Sequence, residues 1–276
     1  MQIFDKSDLK KLYQSPVDST KGQNGRVVII GGSKLFHGAP LLSLTTASRI
    51  VDMVFFASPE PSVGSVAEQI KSKLFSFIWI PWNEVDSYIQ NADAVLIGPG
   101  MMRYKSDKRQ VTSDKLDNEG KETKNITEGL LKKFSDKKWV IDAGSLQTID
   151  PTWIPQNAIL TPNKKEYEML FGDLDPAKAA EKYKCNIVIK GPTTYVYSPK
   201  SEIEVRGGNA GLTKGGTGDV QAGLTVALLA KNDAFLAACA ASYIVKSTAD
   251  RLFKKVGTFY NSDDLASAIP ETFKTV

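Results

Sequence analysis

The sequence predicts a doubly wound, three-layer α/β domain with a mostly parallel central sheet. Short apolar runs alternate with helical patterns along the chain. Several runs are apolar throughout, a pattern typical of strands that are buried on both faces of a parallel sheet. Glycine-rich turns follow these runs, at the strand ends where open α/β sheets bind ligands. Because no internal repeat and no linker divides the sequence, we expect residues 1–276 to form a single domain.

The composition limits the class of protein. The 276 residues are 42% hydrophobic and 24% charged, as in an ordinary globular protein. The net charge of +4 is too small to indicate nucleic acid as a ligand. Cys185 and Cys239 form no CxxC motif and no Cys/His cluster, which excludes a disulfide framework or a structural zinc site and favours a reducing compartment.

The start of the chain and the length of its apolar runs indicate where the protein is located. The polar start of the chain predicts no signal peptide, and no apolar run reaches the length of a membrane span. We therefore expect a cytoplasmic protein that contacts neither nucleic acid nor membrane. We also expect a homo-oligomer and, from the glycine-rich stretch 207–223 described below, small-molecule nucleotides as partners.

The first half of the chain begins the alternation of strands and helices. The apolar run 26–30 predicts a strand that ends in a glycine pair, and a helix follows from Gly38 to about residue 50, with proline in its first turn. His37, the only histidine, lies in the loop between them. A histidine in a polar loop is most often solvated, with a substrate contact as the alternative. Further strands are predicted at 77–80 and 94–98, with a helix at 84–90.

Residues 104–124 predict a flexible polar insertion. They contain almost no large apolar side chain, so they cannot bury enough surface to offset the entropy of ordering. Long loops beside sites often close over them, and a lid is therefore the alternative function of this segment.

The second half continues the sheet. Asp142 stands at the carboxyl end of the strand predicted at 138–143, where it could hold a magnesium-bound phosphate or cap a loop. Pro162 ends the next strand, and Glu166 starts a helix. The remaining predictions are a buried strand from residue 185, an antiparallel edge hairpin at 194–198 and 202–205, and helices at about 234–254 and 263–269.

The stretch 207–223 carries the strongest indication of function. Gly215, Gly216 and Gly218 precede an apolar run at 224–230 that predicts a buried helix. A glycine loop before such a helix leaves N–H groups free at the positive end of the helix dipole, which suits a phosphate. Asp219 follows in the first turn. The alternatives are a tight turn and a simple helix cap, although the spacing is neither GxxxxGK[ST] nor GxGxxG.

The sequence Gly-Gly-Thr-Gly-Asp at 215–219 resembles the anion-hole and catalytic-base signature of the ribokinase-like superfamily. The longer segment 208–223 resembles one branch of it, the ADP/ATP-dependent NAD(P)H-hydrate dehydratases. Further similar segments follow the same order along the chain, with Val-Ile-Ile-Gly-Gly-Ser at 28–33, Gly-Ala-Pro-Leu-Leu at 38–42, Thr-Pro-Asn-x-x-Glu at 161–166 and Lys-Gly-x-x-Thr at 190–194.

Two positions depart from the family pattern. Met102 stands where the family usually has the last glycine of Gly-Pro-Gly-x-Gly-Arg, and a bulky side chain there could narrow the substrate pocket. The segment that begins at Asp142 reads Asp-Ala-Gly-Ser, where members of the family tend to read Asp-Ala-Asp/Gly-Ala.

The resemblance implies a ribokinase-like α/β/α sandwich that repairs (6S)-NADHX and (6S)-NADPHX, the hydrates of NADH and NADPH. The hydrate hydroxyl would take a phosphoryl group from ADP or ATP, magnesium would bridge the nucleotide phosphates, and phosphate would then leave. Asp219 would be the catalytic base. The resemblance places the hydrate at Ala39, Gly100, Asn163 and Asp219, assigns no residue as a metal ligand, and places the nucleotide at Lys190, Gly191, Pro192, Thr193, Thr194, Asn209, Gly215, Gly216, Thr217 and Gly218.

Two other functions remain open from the sequence. A kinase of the same superfamily, acting on a hydroxymethylpyrimidine, a thiazole or a sugar alcohol, would share Asp219 and the early chemistry. A non-catalytic nucleotide sensor would keep the glycine loop but turn nothing over.

Overall fold

The structure is a computed structural model that describes residues 1–104 and 118–275. Ten strands form one sheet in the order β1-β10-β9-β8-β7-β6-β5-β2-β3-β4. The strands are β1 (Gln2–Ile3), β2 (Arg26–Ile30), β3 (Met53–Ala57), β4 (Ile78–Trp79), β5 (Ala94–Ile97), β6 (Trp139–Ile141), β7 (Ile159–Leu160), β8 (Asn186–Ile189), β9 (Thr194–Tyr197) and β10 (Glu202–Val205).

Helices cover both faces of this sheet. The α-helices of the described residues are α1 (Gly38–Ala47), α2 (Ser62–Ile70), α3 (Val85–Asn91), α4 (Asn118–Lys133), α5 (Ala143–Thr148), α6 (Lys164–Phe171), α7 (Pro176–Tyr183), α8 (Thr217–Leu229), α9 (Ala234–Val256) and α10 (Ser262–Thr275). Short 3-10 helices lie at Lys6–Lys11, Trp82–Glu84, Pro151–Trp153 and Ala210–Thr213. None of the helices in the described ranges is both long enough and apolar enough to cross a membrane.

The sheet is mostly parallel, as the sequence predicts. Among the described strands, β9 is antiparallel to both of its neighbours and the other pairs are parallel. Val27 and Ile29 of β2 belong to one apolar core, with α1, α2, α8, α9 and α10. Val28 and Ile30 belong to the other core, with α3 to α7. Successive residues of a strand point to opposite faces, so a strand between two cores is apolar throughout.

The carboxyl ends of the parallel strands meet at one edge of the sheet. The N–H of Gly32, after β2, donates to the carbonyl of Pro99, after β5, at 2.8 Å. A Cβ at Gly98 would overlap the carbonyl oxygen of Asp142, after β6, and Gly98 has a φ of 120° that favours glycine. The turns therefore pack backbone to backbone, and side chains from distant parts of the chain come together there.

The sequence predicts that the hairpin of β9 and β10 lies at the outside of the sheet, and this is wrong because β1 is the outermost strand there. β1 pairs in parallel with β10, with Gln2 opposite Ile203 and Ile3 opposite Glu204. β1 is only two residues long and both side chains are exposed. A strand this short carries no alternation of apolar and polar residues that a sequence pattern could detect.

The predicted flexible insertion is wrong for residues 118–124, which form the first turns of α4. Gly120, Thr123 and Thr127 are buried on this helix together with Leu130 and Leu131. The first turns bury small side chains, which a search for large apolar groups overlooks. The segment 105–117, and with it the predicted lid, lies outside the described residues.

Candidate active site

Three elements assemble the start of α8. Gly216 has a φ of 91° at the N-cap, and a Cβ there would overlap Leu42 of α1 and lie 2.7 Å from the hydroxyl oxygen of Ser262 in α10. Ser43 of α1 donates a hydrogen bond of 2.8 Å to the backbone carbonyl of Asp219. The glycine is therefore needed for both its conformation and its close packing, and α1 supports the turn that carries Asp219.

Three amide groups of the glycine loop are free within the described residues. The N–H groups of Gly215, Gly216 and Gly218 donate no hydrogen bond there, whereas the N–H of Asp219 bonds to its own carboxylate. The hydroxyl of Thr217, in contrast, bonds to the carbonyls of Leu212 and Lys214, at 2.7 and 2.9 Å. Free amides at the positive end of a 13-residue helix have the charge and the donors that suit an anion.

Asp142 and Lys190 form an ion pair beside this helix start. Oδ1 of Asp142 accepts hydrogen bonds from Nζ of Lys190 at 2.9 Å and from the hydroxyl of Thr161 at 2.7 Å. A Cβ at Gly218 would lie 3.5 Å from Nζ of Lys190, so the ammonium faces the glycine loop. Asp142 precedes α5 without capping it. The alternative in which Asp142 is a loop cap is therefore wrong.

The surroundings raise the pKa of Asp219 to about 7, chiefly because burial disfavours its charged form and also because Asp142 and Glu166 are negative. Lys190 acts in the opposite direction and lowers it. Burial by itself would lower the pKa of Lys190, but the nearby carboxylates, Asp142 first, outweigh this and raise it. Lys190 therefore stays positively charged, and Asp219 can exchange a proton near neutral pH.

Glu166 is held in place by hydrogen bonds. Its two oxygens accept from Nε2 of Gln147 at 2.9 Å and from the backbone N–H of Asn163 at 2.8 Å. Asn163 Oδ1 accepts in return from the N–H of Glu166, which completes a capping box at the start of α6. Asn163 is exposed, and its Nδ2 donates no hydrogen bond to the described residues. This amide remains available to a ligand.

Two loops contain the other residues predicted to bind a nucleotide. Lys190 to Thr194 lead from β8 into β9, and Thr194 is buried. Asn209 caps the 3-10 helix at Ala210–Thr213, and its Oδ1 also accepts a hydrogen bond of 2.9 Å from the hydroxyl of Tyr260. The carbonyl groups of both loops bond to Lys246 of α9.

Sequence reasoning did not identify Lys246, Thr161 or Gln147. Lys246 is buried in α9, directly after the apolar pair Ile244 and Val245. Its only signal in the sequence is a lysine inside the apolar, alanine-rich part of a helix. Thr161 and Gln147 act on residues 19 positions away in the chain, and no short motif reports such contacts.

The residues predicted to bind the hydrate lie around the ends of β2, β5 and β7. Ala39 is half-buried in the first turn of α1. Gly100 has a φ of 72°, and a Cβ there would overlap the carbonyl of Phe36. Met102 lines a cleft of about 100 Å³ together with Gly32, Ser33, Glu60 and Thr123. A bulky side chain therefore borders the cleft beside the strand ends.

The comparisons with known proteins identify the family of the chain. A family model described as NAD(P)H-hydrate dehydratase matches residues 27–271. The chain is 37% identical to the bifunctional NAD(P)H-hydrate repair enzyme Nnr of Methanocaldococcus jannaschii, over 97% of this chain and 52% of that protein. It is 30% identical to the ADP-dependent (S)-NAD(P)H-hydrate dehydratase of Nitrosopumilus maritimus, over 93% of this chain and 91% of that protein. The chain thus spans about half the length of the bifunctional relative.

A solved structure has the same fold. The ADP/ATP-dependent NAD(P)H-hydrate dehydratase from Bacillus subtilis, co-crystallized with ATP and Mg²⁺, superposes with a TM-score of 0.79 and covers 99% of this chain and 98% of its own. At 20% identity this similarity shows the fold alone. It confirms the ribokinase-like sandwich that the sequence resemblance implies.

Proposed function

The chain belongs to the NAD(P)H-hydrate dehydratase family, and we propose that it converts hydrated NADH and NADPH back to NADH and NADPH with ADP or ATP as the phosphoryl donor. The observation that supports this most directly is the position of Asp219. Its carboxyl group has a pKa of about 7 and stands on the same helix turn as the free amides of the glycine loop. A base and an anion site are thus side by side.

In the proposed reaction, Asp219 takes the proton of the hydrate hydroxyl as the hydroxyl oxygen attacks the terminal phosphorus of the nucleotide. The bond from that phosphorus to the leaving nucleotide oxygen breaks. The bond from the ring carbon to the ester oxygen then breaks, and phosphate leaves with the electron pair. Water takes a proton from the adjacent ring carbon, and the ring double bond returns. A pKa near the working pH suits a general base, which contributes roughly 10²–10⁴-fold to a rate. Phosphate is a far better leaving group than hydroxide.

The glycine loop would stabilise the transferring phosphoryl group. The N–H groups of Gly215, Gly216 and Gly218 are free to donate to its oxygens. Lys190 brings a positive charge against Gly218 and is held there by Asp142. We assign the rest of the nucleotide to the loop 190–194 and to Asn209, and the hydrate to Ala39, Gly100 and Asn163.

We also propose Mg²⁺ as a cofactor. Among the described residues, no three His, Cys, Asp or Glu side chains come together as a metal site. Both oxygens of Glu166 and Oδ1 of Asp142 already accept hydrogen bonds. This arrangement fits a cation bound mainly by phosphate oxygens and water, with Asp142 as an outer partner. When bound, Mg²⁺ would neutralise charge on the nucleotide phosphates.

Absorbance at 340 nm tests the proposal. The protein is mixed with NADPH hydrate and magnesium, and ADP or ATP is added in turn, with a control without nucleotide. A nucleotide-dependent rise in absorbance is expected, and it identifies the phosphoryl donor. If the protein binds nucleotide but absorbance does not rise, the dehydratase is contradicted, and a small-molecule kinase or a nucleotide sensor takes its place. The same assay with NADH hydrate compares the two substrates.

The homo-oligomeric state and the cytoplasmic location stay predictions. The mass of the purified protein in solution, measured by light scattering, tests the first of them.

A further inference from the structure

Lys246 of α9 donates hydrogen bonds to two loops of the candidate nucleotide site and so links them. Only 4% of its surface is exposed. Its Nζ donates hydrogen bonds to the carbonyls of Gly191, Pro192 and Gly207, at 3.1, 2.7 and 2.9 Å. The three donors of the ammonium are therefore shared between a loop that follows β8 and a loop that follows β10.

Asp250, one helix turn further on, holds the second of these loops in the same way. One carboxylate oxygen accepts a 2.9 Å hydrogen bond from the N–H of Gly208, and the other accepts from Nδ2 of Asn209 at 3.3 Å. A Cβ at Gly207 would lie 3.0 Å from this carboxylate. Gly207 and Gly208 have φ values of 94° and 82°, so the turn is wrapped closely around the two side chains.

Burying the charged ammonium of Lys246 costs free energy of folding, because the charge loses its hydration. Burial lowers the pKa of Lys246, and only Asp250 opposes the effect. An apolar side chain of similar size would fill the same space without the desolvation of a charge. The bonds of Lys246 and Asp250 all go to the two loops. Their direct effect is thus to fix the distance between these loops.

We propose that Lys246 and Asp250 together form a loop anchor that sets the separation of 190–194 and 207–209, and that Lys246 is thereby a positioning residue for the nucleotide. This inference rests on the proposed function, because both loops contain residues assigned to the nucleotide. Lys246 lies behind the carbonyl groups and touches neither reacting group. Its loss should therefore weaken nucleotide binding more than it slows the chemical steps.

The test replaces Lys246 by methionine, which keeps an unbranched chain but has no donors. Titration calorimetry with ADP and with ATP should show a Kd raised about tenfold or more, since the carbonyls of both loops lose the donor that joins them. The kcat at saturating nucleotide should stay within a few-fold of the unaltered protein. Lys246→Arg keeps donors and should recover part of the affinity.

Lys138→Met is the control for the loss of a lysine that donates to backbone carbonyls far from the site, at an exposed position. Like Lys246, Lys138 donates from Nζ to backbone carbonyls, here those of Leu229 and Asn232. Lys138 directly precedes β6 and therefore lies at the amino end of the parallel strands, opposite the candidate site. Its nucleotide Kd should not change. Equal Kd values for Lys246→Met and the unaltered protein would overturn the inference.

Hydrogen exchange of the unaltered protein tests the same anchor without a substitution. Added nucleotide should slow amide exchange in 190–194 and 207–209 together, and slowing confined to one loop would overturn the inference even if Lys246→Met does not fold. If the unaltered protein binds neither ADP nor ATP, the proposed function itself is wrong. That outcome is distinct from a protein that binds nucleotide without the help of Lys246.

Discussion

At the scale of single residues, the chemistry depends on how Asp219 is surrounded. Burial raises the pKa of its carboxyl group most, and the negative charges of Asp142 and Glu166 raise it further. The positive charge of Lys190 lowers it. Lys190 pairs directly with Asp142 rather than with Asp219. In the proposed mechanism the ammonium of Lys190 would therefore be held for the phosphate, and Asp219 would keep a proton affinity that suits a base.

Asp219→Asn should lower kcat for hydrate dehydration at least about 100-fold, because the amide cannot take the hydroxyl proton. The fold should be retained. A carboxyl whose pKa is raised from 3.8 to about 7 by folding destabilises the native state above pH 3.8, and fully above pH 7. The variant should therefore unfold at a higher temperature than the unaltered protein at pH 8 and at the same temperature near pH 4. Unaltered turnover would remove Asp219 from the mechanism.

The rate should also depend on pH through Asp219. With a pKa of about 7, the charged form becomes scarce in acid, so kcat/KM for the hydrate should fall about tenfold per pH unit below 7 and level off above it. The measurement is kcat/KM at saturating nucleotide between pH 5.5 and 8.5. A flat profile over this range would show that proton uptake by Asp219 does not limit the reaction.

Residues of the site differ in how far the sequence alone reveals them. Asp219 and the glycines can be predicted because they lie within five consecutive positions. The ion pair of Asp142 with Lys190 joins positions 48 apart, and the bond of Lys246 to Gly191 joins positions 55 apart. These contacts depend on strand order and on helix packing, which no local pattern specifies.

At the scale of elements, the start of α8 depends on its neighbours α1 and α10. Gly216→Ala should destabilise the protein by about 1–3 kcal/mol or more, because the residue has a φ of 91° and its Cβ would meet Leu42 and Ser262. Gly215→Ala is the matched control, since a Cβ there meets nothing within 4 Å. Thermal unfolding should show a lower melting temperature for the first variant alone. Equal melting temperatures would mean that α1 and α10 yield to the added methyl group.

Strands and helices with many large apolar residues are predicted well from the sequence. Elements with few such residues are not. β2 and β5 are apolar along nearly their whole length, and α8 is buried nearly all round. Each pattern follows directly from burial on both sides. β1 has exposed side chains, and the first turns of α4 bury glycine and threonine. Their positions are set by tertiary contacts, which override the local preference of the sequence.

At the scale of the whole molecule, the candidate site draws on both halves of the chain. Ala39 and Gly100 come from the first half, and Asn163, Lys190 and Asp219 come from the second half. They meet because the parallel strands β2, β5, β6, β7 and β8 are neighbours and end at the same edge of the sheet. An unfolded chain offers no such site, so a nucleotide should bind the folded protein alone.

Nucleotide should consequently stabilise the whole fold. A ligand at 100 times its Kd adds about 2.7 kcal/mol to the free energy of unfolding, and each kcal/mol raises the melting temperature of a chain of this size by about 2–4 °C. Thermal unfolding with magnesium and ADP or ATP should thus show a rise of about 5–10 °C. At the same nucleotide concentration, Lys246→Met should show a smaller rise than Lys138→Met, because Lys246 donates to carbonyls of the loops assigned to the nucleotide and Lys138 does not. If millimolar nucleotide leaves the melting temperature unchanged, the free amides of the glycine loop do not bind a phosphate.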